Sequence, residues 1–301
     1  MDLHVVHETR YRYTPAVETA QHMAYLKPLQ AAHQAVSSHS LRITPEPEQR
    51  SERMDVFGNT QTFFALAMAH THLTVTADSL VQTRAPEPVD TAHAGLPWEA
   101  VREHFRYHAK APWDPAAEFV FASPYVPRHE DFSAWARPSF APGLPLLDAA
   151  HDLMERIHAE FSYATEATEV NTPALEALHG KHGVCQDFAH VMVAGLRAMG
   201  LAARYVSGYL LTQPPPGQAR LVGADASHAW ASVYLPGVGD ELPGRWYDFD
   251  PTNNRAPGAD YVTLAIGRDY SDVSPIRGVI HGGARHTLEV AVTVEPVDEG
   301  D

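Results

Sequence analysis

The segment from Gly183 to Asp250 constrains the fold more than any other part of this 301-residue chain, because a helical pattern in it is followed by three strand patterns. The helical pattern covers Cys185–Met199, where apolar residues recur at a spacing of about 3.6 residues, and Gly200 follows in the usual position of a helix C-terminal cap. The strand patterns that come next are Leu201–Leu211, His228–Leu235 and Arg245–Asp250. The sequence therefore predicts a helix that begins at Cys185 and leads into a set of strands.

The chain before this segment divides into a β-rich part and a mixed part. Residues 1 to about 84 carry short strand patterns separated by turn signals such as Phe57-Gly58-Asn59-Thr60, which predicts a small β-sandwich. The stretch Ala85–Pro97 is rich in proline and alanine and marks a boundary, so we expect a first domain at residues 1–90 and a second at 91–301. In the second domain we expect helices over Trp98–His108 and Leu146–Phe161 and a last strand over Arg285–Val297. The segment Pro112–Pro145 is irregular and rich in aromatic residues, which either line a cleft or pack on the core.

The composition excludes several classes of protein. A formal net charge of −15 argues against binding to a nucleic-acid backbone, and motifs that cradle phosphate or present a serine nucleophile do not occur. The N-terminus carries charges at Asp2 and Glu8, and no apolar run of about 18 residues is present, so we expect a cytoplasmic protein without a membrane partner. The single cysteine, Cys185, excludes an intramolecular disulfide and any multi-cysteine metal site.

Cys185 is either a buried inert thiol or a nucleophile. A cysteine attacks as its thiolate, and a helix N-terminus favours negative charge through its dipole and its free N–H groups. The same N–H groups could stabilise an oxyanion on an attacked carbonyl. A nucleophilic cysteine also needs an imidazole within hydrogen-bond reach, and that imidazole needs an acceptor to orient it.

Strand register reduces the nineteen histidines of the chain to one candidate base. If the strands over His228–Leu235 and Arg245–Asp250 pair in antiparallel fashion with Leu235 opposite Pro243, His228 lies directly opposite Asp250. Asp248 lies on the same face but reaches His228 only diagonally, so Asp250 is the preferred orienting residue. A helix-start cysteine followed by a histidine and an aspartate on neighbouring strands favours nucleophilic catalysis over an inert thiol.

Three blocks of sequence resemble the bacterial transglutaminase-like superfamily. They are GVCQDFAHVMVAGLRAMGLAARYVSGYL at Gly183–Leu210, DASHAWASVYLPG at Asp225–Gly237 and WYDFDPTNN at Trp246–Asn254. The stretches HETRYRYTPAV and DVFGNTQTFF are similar to the β domain that precedes the core in many bacterial members. The resemblance implies an α+β fold with a papain-like transglutaminase core, in which a helix carrying the cysteine packs on an antiparallel sheet.

The resemblance also implies the chemistry and its residues. The family's nucleophile, base and third member correspond to Cys185, His228 and Asp250. The implied activity is acyl transfer from a peptide or other amide substrate through a thioester, to water as a peptidase or amidase, or to an amine as a cross-linking enzyme. No cofactor or metal is expected. Two other possibilities stay open: a binding module that retains the fold without turnover, and acyl transfer to a small amine.

Several other residues of the chain have both a possible structural role and a possible functional role. His151, Glu155 and His158 form a helical stripe with zinc-ligand side chains, but it lies away from the apolar face, where solvent is expected. Asp187 is expected to cap the helix of Cys185. The loop Thr212–Ala224 either gates the substrate cleft or is a surface loop. Arg204 and Tyr205, at the start of a buried strand, are interpreted as structural.

Overall fold

The computed structural model describes residues 1–110, 112–164, 172–212, 227–239, 242–283 and 285–297, and it is an α+β fold built on antiparallel sheets. Its strands and helices in chain order are β1 (Asp2–Ala24), β2 (Gln34–Thr44), β3 (Gln49–Met54), β4 (Thr60–Leu66), β5 (His70–Thr83), α1 (Thr91–Ala94), α2 (Trp98–His104), α3 (Glu130–Ala136), α4 (Leu146–Glu160), β6 (Ser162–Tyr163), α5 (Ala174–Gly180), β7 (His182–Gly183), α6 (Cys185–Ala198), β8 (Ala203–Leu210), β9 (Ser227–Leu235), β10 (Arg245–Phe249), β11 (Tyr261–Gly267), α7 (Tyr270–Val273), β12 (Ile276–Gly282) and β13 (Arg285–Pro296). Short 3₁₀ turns cover Pro115–Val120 and Arg137–Ser139.

The predicted β-rich N-terminal region is confirmed, and its strands are joined through the long strand β1. The first half of β1 pairs with β5 and β13, and its second half pairs with β4 and β12. Side chains from both halves share one apolar core, which includes Ile43, Phe64 and Val75. The strand predicted at the C-terminal end is β13, and it runs antiparallel to β1 from Leu3 to Thr14. The end of the described chain therefore completes the sheet of its beginning.

The second sheet has the strand order β10-β9-β8-β11, and α6 packs on one of its faces. The buried residues of α6 include Phe188, Met192 and Leu196, which were predicted from their spacing, and they meet α3, α4, α5 and the sheet in one core. The other face holds Trp230, which packs against Tyr261 and is covered by Phe57 of the N-terminal region. This sheet therefore lies between the helices and the N-terminal β region.

Predicted boundaries and observed boundaries agree closely where local signals are strong. Helix α6 begins at Cys185 as predicted, and its C-terminal cap Met199 is followed by Gly200 with φ +82°. Helix α4 begins at Leu146 as predicted and ends at Glu160. The helix predicted over Trp98–His108 is shorter and ends at His104. Local capping and turn residues fix these positions, because they satisfy the terminal backbone groups.

The aromatic segment Pro112–Pro145 is less irregular than its sequence suggests. It contains α3 and two 3₁₀ turns, and Phe119, Phe132 and Phe140 are buried in the core. Trp113, by contrast, is exposed. Packing on the core therefore accounts for these three buried aromatic side chains. Among the helices of the described residues, none has both the length and the apolar character that crossing a bilayer requires.

Candidate active site

Cys185 occupies the first turn of α6, and the residues before it set up that helix start. The N-cap residue is Val184, whose backbone N–H donates to Oδ2 of Asp187 at 2.8 Å. Gly183 has φ +157°, and a Cβ built there would lie 2.5 Å from the same carboxylate oxygen. Asp187 is buried and caps the helix, as its position in the first turn predicted. The cysteine is therefore held at the positive end of a long, buried helix.

His228 and Asp250 are in direct contact, although the predicted strand register is wrong by two residues. Leu235 pairs with Arg245 rather than with Pro243, because the connection between β9 and β10 contains its own bridge, between Val238 and Leu242. A two-residue shift keeps every side chain on the same face of a strand. Nε2 of His228 therefore still lies 2.7 Å from Oδ2 of Asp250, which reaches it diagonally.

Asp248 is bonded to the neighbouring strand and not to His228. In the observed register it lies opposite Ser232. The Ser232 hydroxyl donates a hydrogen bond to its carboxylate. Asp248 is thus tied to the strand next to it, and the choice of Asp250 over Asp248 as the partner of His228 agrees with the geometry.

Asp250 is completely buried and accepts hydrogen bonds at both carboxylate oxygens. Oδ1 accepts from the backbone N–H groups of Thr252 and Asn253, at 2.9 Å and 3.2 Å. Oδ2 accepts from the Asn253 amide, the Tyr261 hydroxyl and the His228 ring, each at 2.7 Å. These contacts orient the carboxylate and leave it little freedom to rotate.

Sequence reasoning assigned no role to Asn253 or Tyr261. Asn253 carries a local signal, because aspartate followed by a turn sequence commonly accepts from backbone N–H groups two or three residues later. Tyr261 carries no such signal. It opens β11, a strand missing from the predicted set, and reaches Asp250 only through the pairing of β11 with β8.

The thiol of Cys185 completes the cluster. The thiol interacts electrostatically with the His228 ring, and its Sγ is 4.0 Å from the carbonyl oxygen of Ser227, the residue before His228. Because Nε2 of His228 faces Asp250, Nδ1 is the ring nitrogen available to the thiol. Cys185 is partly exposed, while the His228 side chain is only 10% exposed. A substrate can therefore reach the sulfur from solvent while the ring behind it is shielded.

The electrostatics of the cluster favour a charged imidazole. Burial lowers the pKa of His228, but hydrogen bonds with Asp250 and Cys185 and the negative charges of both raise it to about 10. Burial raises the pKa of Asp250, but hydrogen bonds from His228, Asn253 and Tyr261 outweigh burial and hold it below its usual value. The arrangement therefore stabilises the imidazolium form of His228.

Other candidate residues of the sequence do not join this cluster. His151 and Glu155 form an exposed pair at 3.7 Å, whereas Nδ1 of His158 lies 3.0 Å from the carbonyl oxygen of Thr252. Within the described ranges there is no group of three or more histidine, cysteine, aspartate or glutamate side chains placed to hold a metal ion. The loop predicted to gate the cleft, Thr212–Ala224, lies outside the described residues apart from Thr212.

Comparison with known protein families gives two matches along the chain. Residues 3–82 match the bacterial transglutaminase-like N-terminal region, and residues 133–251 match the transglutaminase-like superfamily. The second range contains Cys185, His228 and Asp250. The two matches follow one another in the order of the observed N-terminal β region and the sheet that carries the cluster.

Individual proteins are similar to this chain over stretches of different length. An uncharacterized protein from Mycobacterium tuberculosis is 40% identical over 99% of this chain and 93% of its own length. A protein-glutamine gamma-glutamyltransferase from Pseudomonas aeruginosa is 30% identical, but over 35% of this chain and 15% of its own length. A crystal structure described as a proposed cysteine protease from Cytophaga hutchinsonii superposes with a TM-score of 0.72 at 20% identity, covering 99% of this chain and 92% of the other. That likeness establishes a shared fold.

Proposed function

Because this chain belongs to the transglutaminase-like superfamily, we propose that it is a cysteine-dependent amide-bond hydrolase acting through Cys185, His228 and Asp250. The observation that carries the proposal is the chain of contacts from a partly exposed thiol at a helix start, through a buried imidazole, to a fully buried carboxylate. An inert structural cysteine has no need of a histidine held charged beside it. The fold shared with the proposed cysteine protease from Cytophaga hutchinsonii supports the same class of reaction.

The first half of the proposed reaction forms a thioester. The Cys185 thiolate attacks the carbonyl carbon of an amide R–CO–NH–R′, and the developing oxyanion is stabilised by the backbone N–H of Cys185 at the start of α6. The C–N bond then breaks, and the His228 imidazolium gives its proton to the departing nitrogen. The products of this half are H₂N–R′ and the R–CO–S thioester on Cys185.

The second half regenerates the enzyme. Neutral His228, oriented by Asp250, takes a proton from water, and the resulting hydroxide attacks the thioester carbon. The C–S bond breaks, R–COOH leaves, and the thiolate–imidazolium pair is restored. Transfer to an amine in place of water gives a new amide and corresponds to a cross-linking or small-amine acyltransferase. Water is the favoured acceptor because it needs no additional binding site.

The decisive experiment looks for the thioester on the single cysteine. The protein is exposed to a library of peptides and amides, quenched in acid, and analysed by mass spectrometry for an acyl adduct on Cys185. Cys185→Ala is the matched control, because the chain then has no thiol at all. Adducts that appear only with Cys185, together with released amine, support the proposal.

The same experiment separates the alternatives. Repeating the reaction with an added primary amine shows whether the acyl group passes to water or to the amine. Peptides that bind without any adduct or amine release, in wild type and in Cys185→Ala alike, would establish a binding module in place of an enzyme.

A further inference from the structure

A cavity of about 780 Å³ lies on the face of the second sheet that points away from α6. Its walls are the β3–β4 turn with Phe57, the 3₁₀ turn with Phe119, and the sheet residues Arg204 and Trp246. The N-terminal β region and the sheet of the candidate active site thus line it together. Its volume lies within the range of small-molecule binding sites.

Arg204 is the unusual residue of this cavity. Its guanidinium carbon stacks 4.3 Å from the centre of the Trp246 ring, and its Nε is buried with no hydrogen-bond partner. Within the described parts of the chain, no side chain forms an ion pair or a hydrogen bond with it. The nearest acid in the strand register is Asp248, which is hydrogen-bonded to Ser232. Burial lowers the pKa of Arg204 to about 10, although the negative charge of Asp248 acts in the opposite direction.

The other charged groups that line the cavity all have partners among the described residues. Asp55 accepts from the backbone of its own turn, Asp114 contacts His104, and Arg268 forms a two-point ion pair with Asp272. Glu118 lies 3.9 Å from Arg268, and Arg277 donates to the carbonyl oxygen of Ser271. Arg204 therefore differs from every other charge in the same wall. Arg204 is partly exposed, but its buried Nε lacks an acceptor, and an anion placed against the guanidinium would supply one.

The aromatic side chains of the cavity wall indicate what kind of group the bound anion carries. The Trp246 ring packs edge to face with Phe119 at 5.1 Å and contacts Tyr234 at the same distance. Phe57 continues this aromatic surface at 5.3 Å from Phe119. Such a surface binds flat apolar groups, while a planar guanidinium binds a carboxylate through two parallel hydrogen bonds.

We propose that this cavity is a second binding site, for a small carboxylate that carries an aromatic or apolar group, with Arg204 binding the carboxylate and Trp246 the apolar group. The site is separate from the thiol. Arg204 lies opposite Ser232 in the strand register, four residues along β9 from His228, which places the two roughly 13 Å apart. The proposal therefore does not depend on the proposed reaction and is tested without turnover.

The test uses the Cys185→Ala protein and matched pairs of probes that differ only in charge. The pairs are N-acetylphenylalanine and its amide, phenylacetate and phenylacetamide, and benzoate and benzamide. We expect at least one acid to bind saturably with a Kd of about 1 mM or tighter by isothermal titration calorimetry, and its amide to bind at least about tenfold more weakly. Arg204→Gln should weaken binding of that acid by a similar factor and leave the amide unchanged.

The location of binding needs its own readout. With 5-fluorotryptophan incorporated, ¹⁹F NMR should show the acid shifting the Trp246 signal, which Trp246→Phe identifies by its loss. Equal binding of acid and amide in all three pairs, or a shift confined to the exposed Trp113, overturns the proposal. If Arg204→Gln fails to fold, the proposal is still tested by the acid–amide comparison and by the Trp246 signal in the protein that retains Arg204.

Discussion

Replacing Asp250 with asparagine should lower the pKa of His228 by a large amount. Asp250 supplies a charge and a 2.7 Å hydrogen bond to the ring, and its removal leaves a buried imidazolium without a carboxylate partner. The amide group of asparagine would also present N–H donors to a site where Asn253, Tyr261 and His228 already donate.

The magnitude follows from the pKa of His228, which the site raises from 6.5 to about 10. At about 1.4 kcal/mol per pH unit, this corresponds to a net preference of roughly 5 kcal/mol for the charged ring, which is what remains of the interactions with Asp250 and Cys185 after the opposing effect of burial. Assigning about half of this net preference to Asp250 predicts that Asp250→Asn lowers the His228 pKa by at least about two pH units. Alkylation of Cys185 by iodoacetamide at neutral pH should slow by about tenfold or more, because a less basic imidazole stabilises less thiolate.

The measurement is the pH titration of the His228 ring nitrogens by NMR on ¹⁵N-histidine-labelled protein, with the signals assigned by their loss in His228→Gln. Asp248→Asn is the matched control, because it removes the same charge from the same strand but from a carboxylate bonded to Ser232. The reasoning is refuted if the His228 titration is unchanged in Asp250→Asn, or if it moves equally in Asp248→Asn.

Three further predictions concern the support of the cluster and its stability. Tyr261→Phe removes one of the donors to Asp250 and should slow Cys185 alkylation by a few-fold while the protein stays folded; a rate equal to wild type would show that the hydroxyl does not position the carboxylate. Gly183→Ala places a Cβ against the Asp187 carboxylate and should lower the free energy of unfolding in urea by about 1–3 kcal/mol, and an unchanged denaturation midpoint would argue against that contact. The raised pKa of His228 predicts that the free energy of unfolding falls as pH rises through about 10. The lowered pKa of Asp250 predicts a second loss of stability as pH drops below the usual range of an aspartate. Urea denaturation measured across pH should show that both losses are smaller in Asp250→Asn.

The N-terminal β region packs against the second sheet, and the two regions together form a cavity that neither forms separately. Phe57, in the turn between β3 and β4, contacts the sheet that carries His228 and also lines the cavity of Arg204. The C-terminal strand β13 pairs with β1 along twelve residues and fastens the end of the described chain to its beginning. The Arg204 cavity is therefore lined by both regions, and Cys185 likewise packs beside Met23 and Tyr25, at and just after the end of β1.

The helix start at Cys185 and its cap could be predicted because they rest on local rules. Apolar spacing, an acid in the first turn and Gly200 at the end are all written within sixteen residues, and the structure follows them to within one residue. That His228 and Asp250 point to the same side of the sheet was also predictable. Side chains alternate between the two faces of a strand, so a register error of two residues leaves each side chain on its predicted face. The register of β9 and β10 could not be predicted, because it depends on the conformation of the nine-residue connection between them.

By itself, the sequence determined which side chains lie at the start of α6 and on the shared face of β9 and β10, because capping and strand alternation act between near neighbours. Only the tertiary structure decided that Tyr261 from β11 reaches Asp250, that β13 returns to β1, and that Arg204 stacks on Trp246 inside a cavity closed by Phe57. These contacts join residues that are separated by 11 positions in the case of Tyr261 and Asp250 and by more than 250 in the case of β1 and β13. They form because burial of apolar surface and pairing of backbone groups are satisfied over the whole molecule, and no local pattern encodes them.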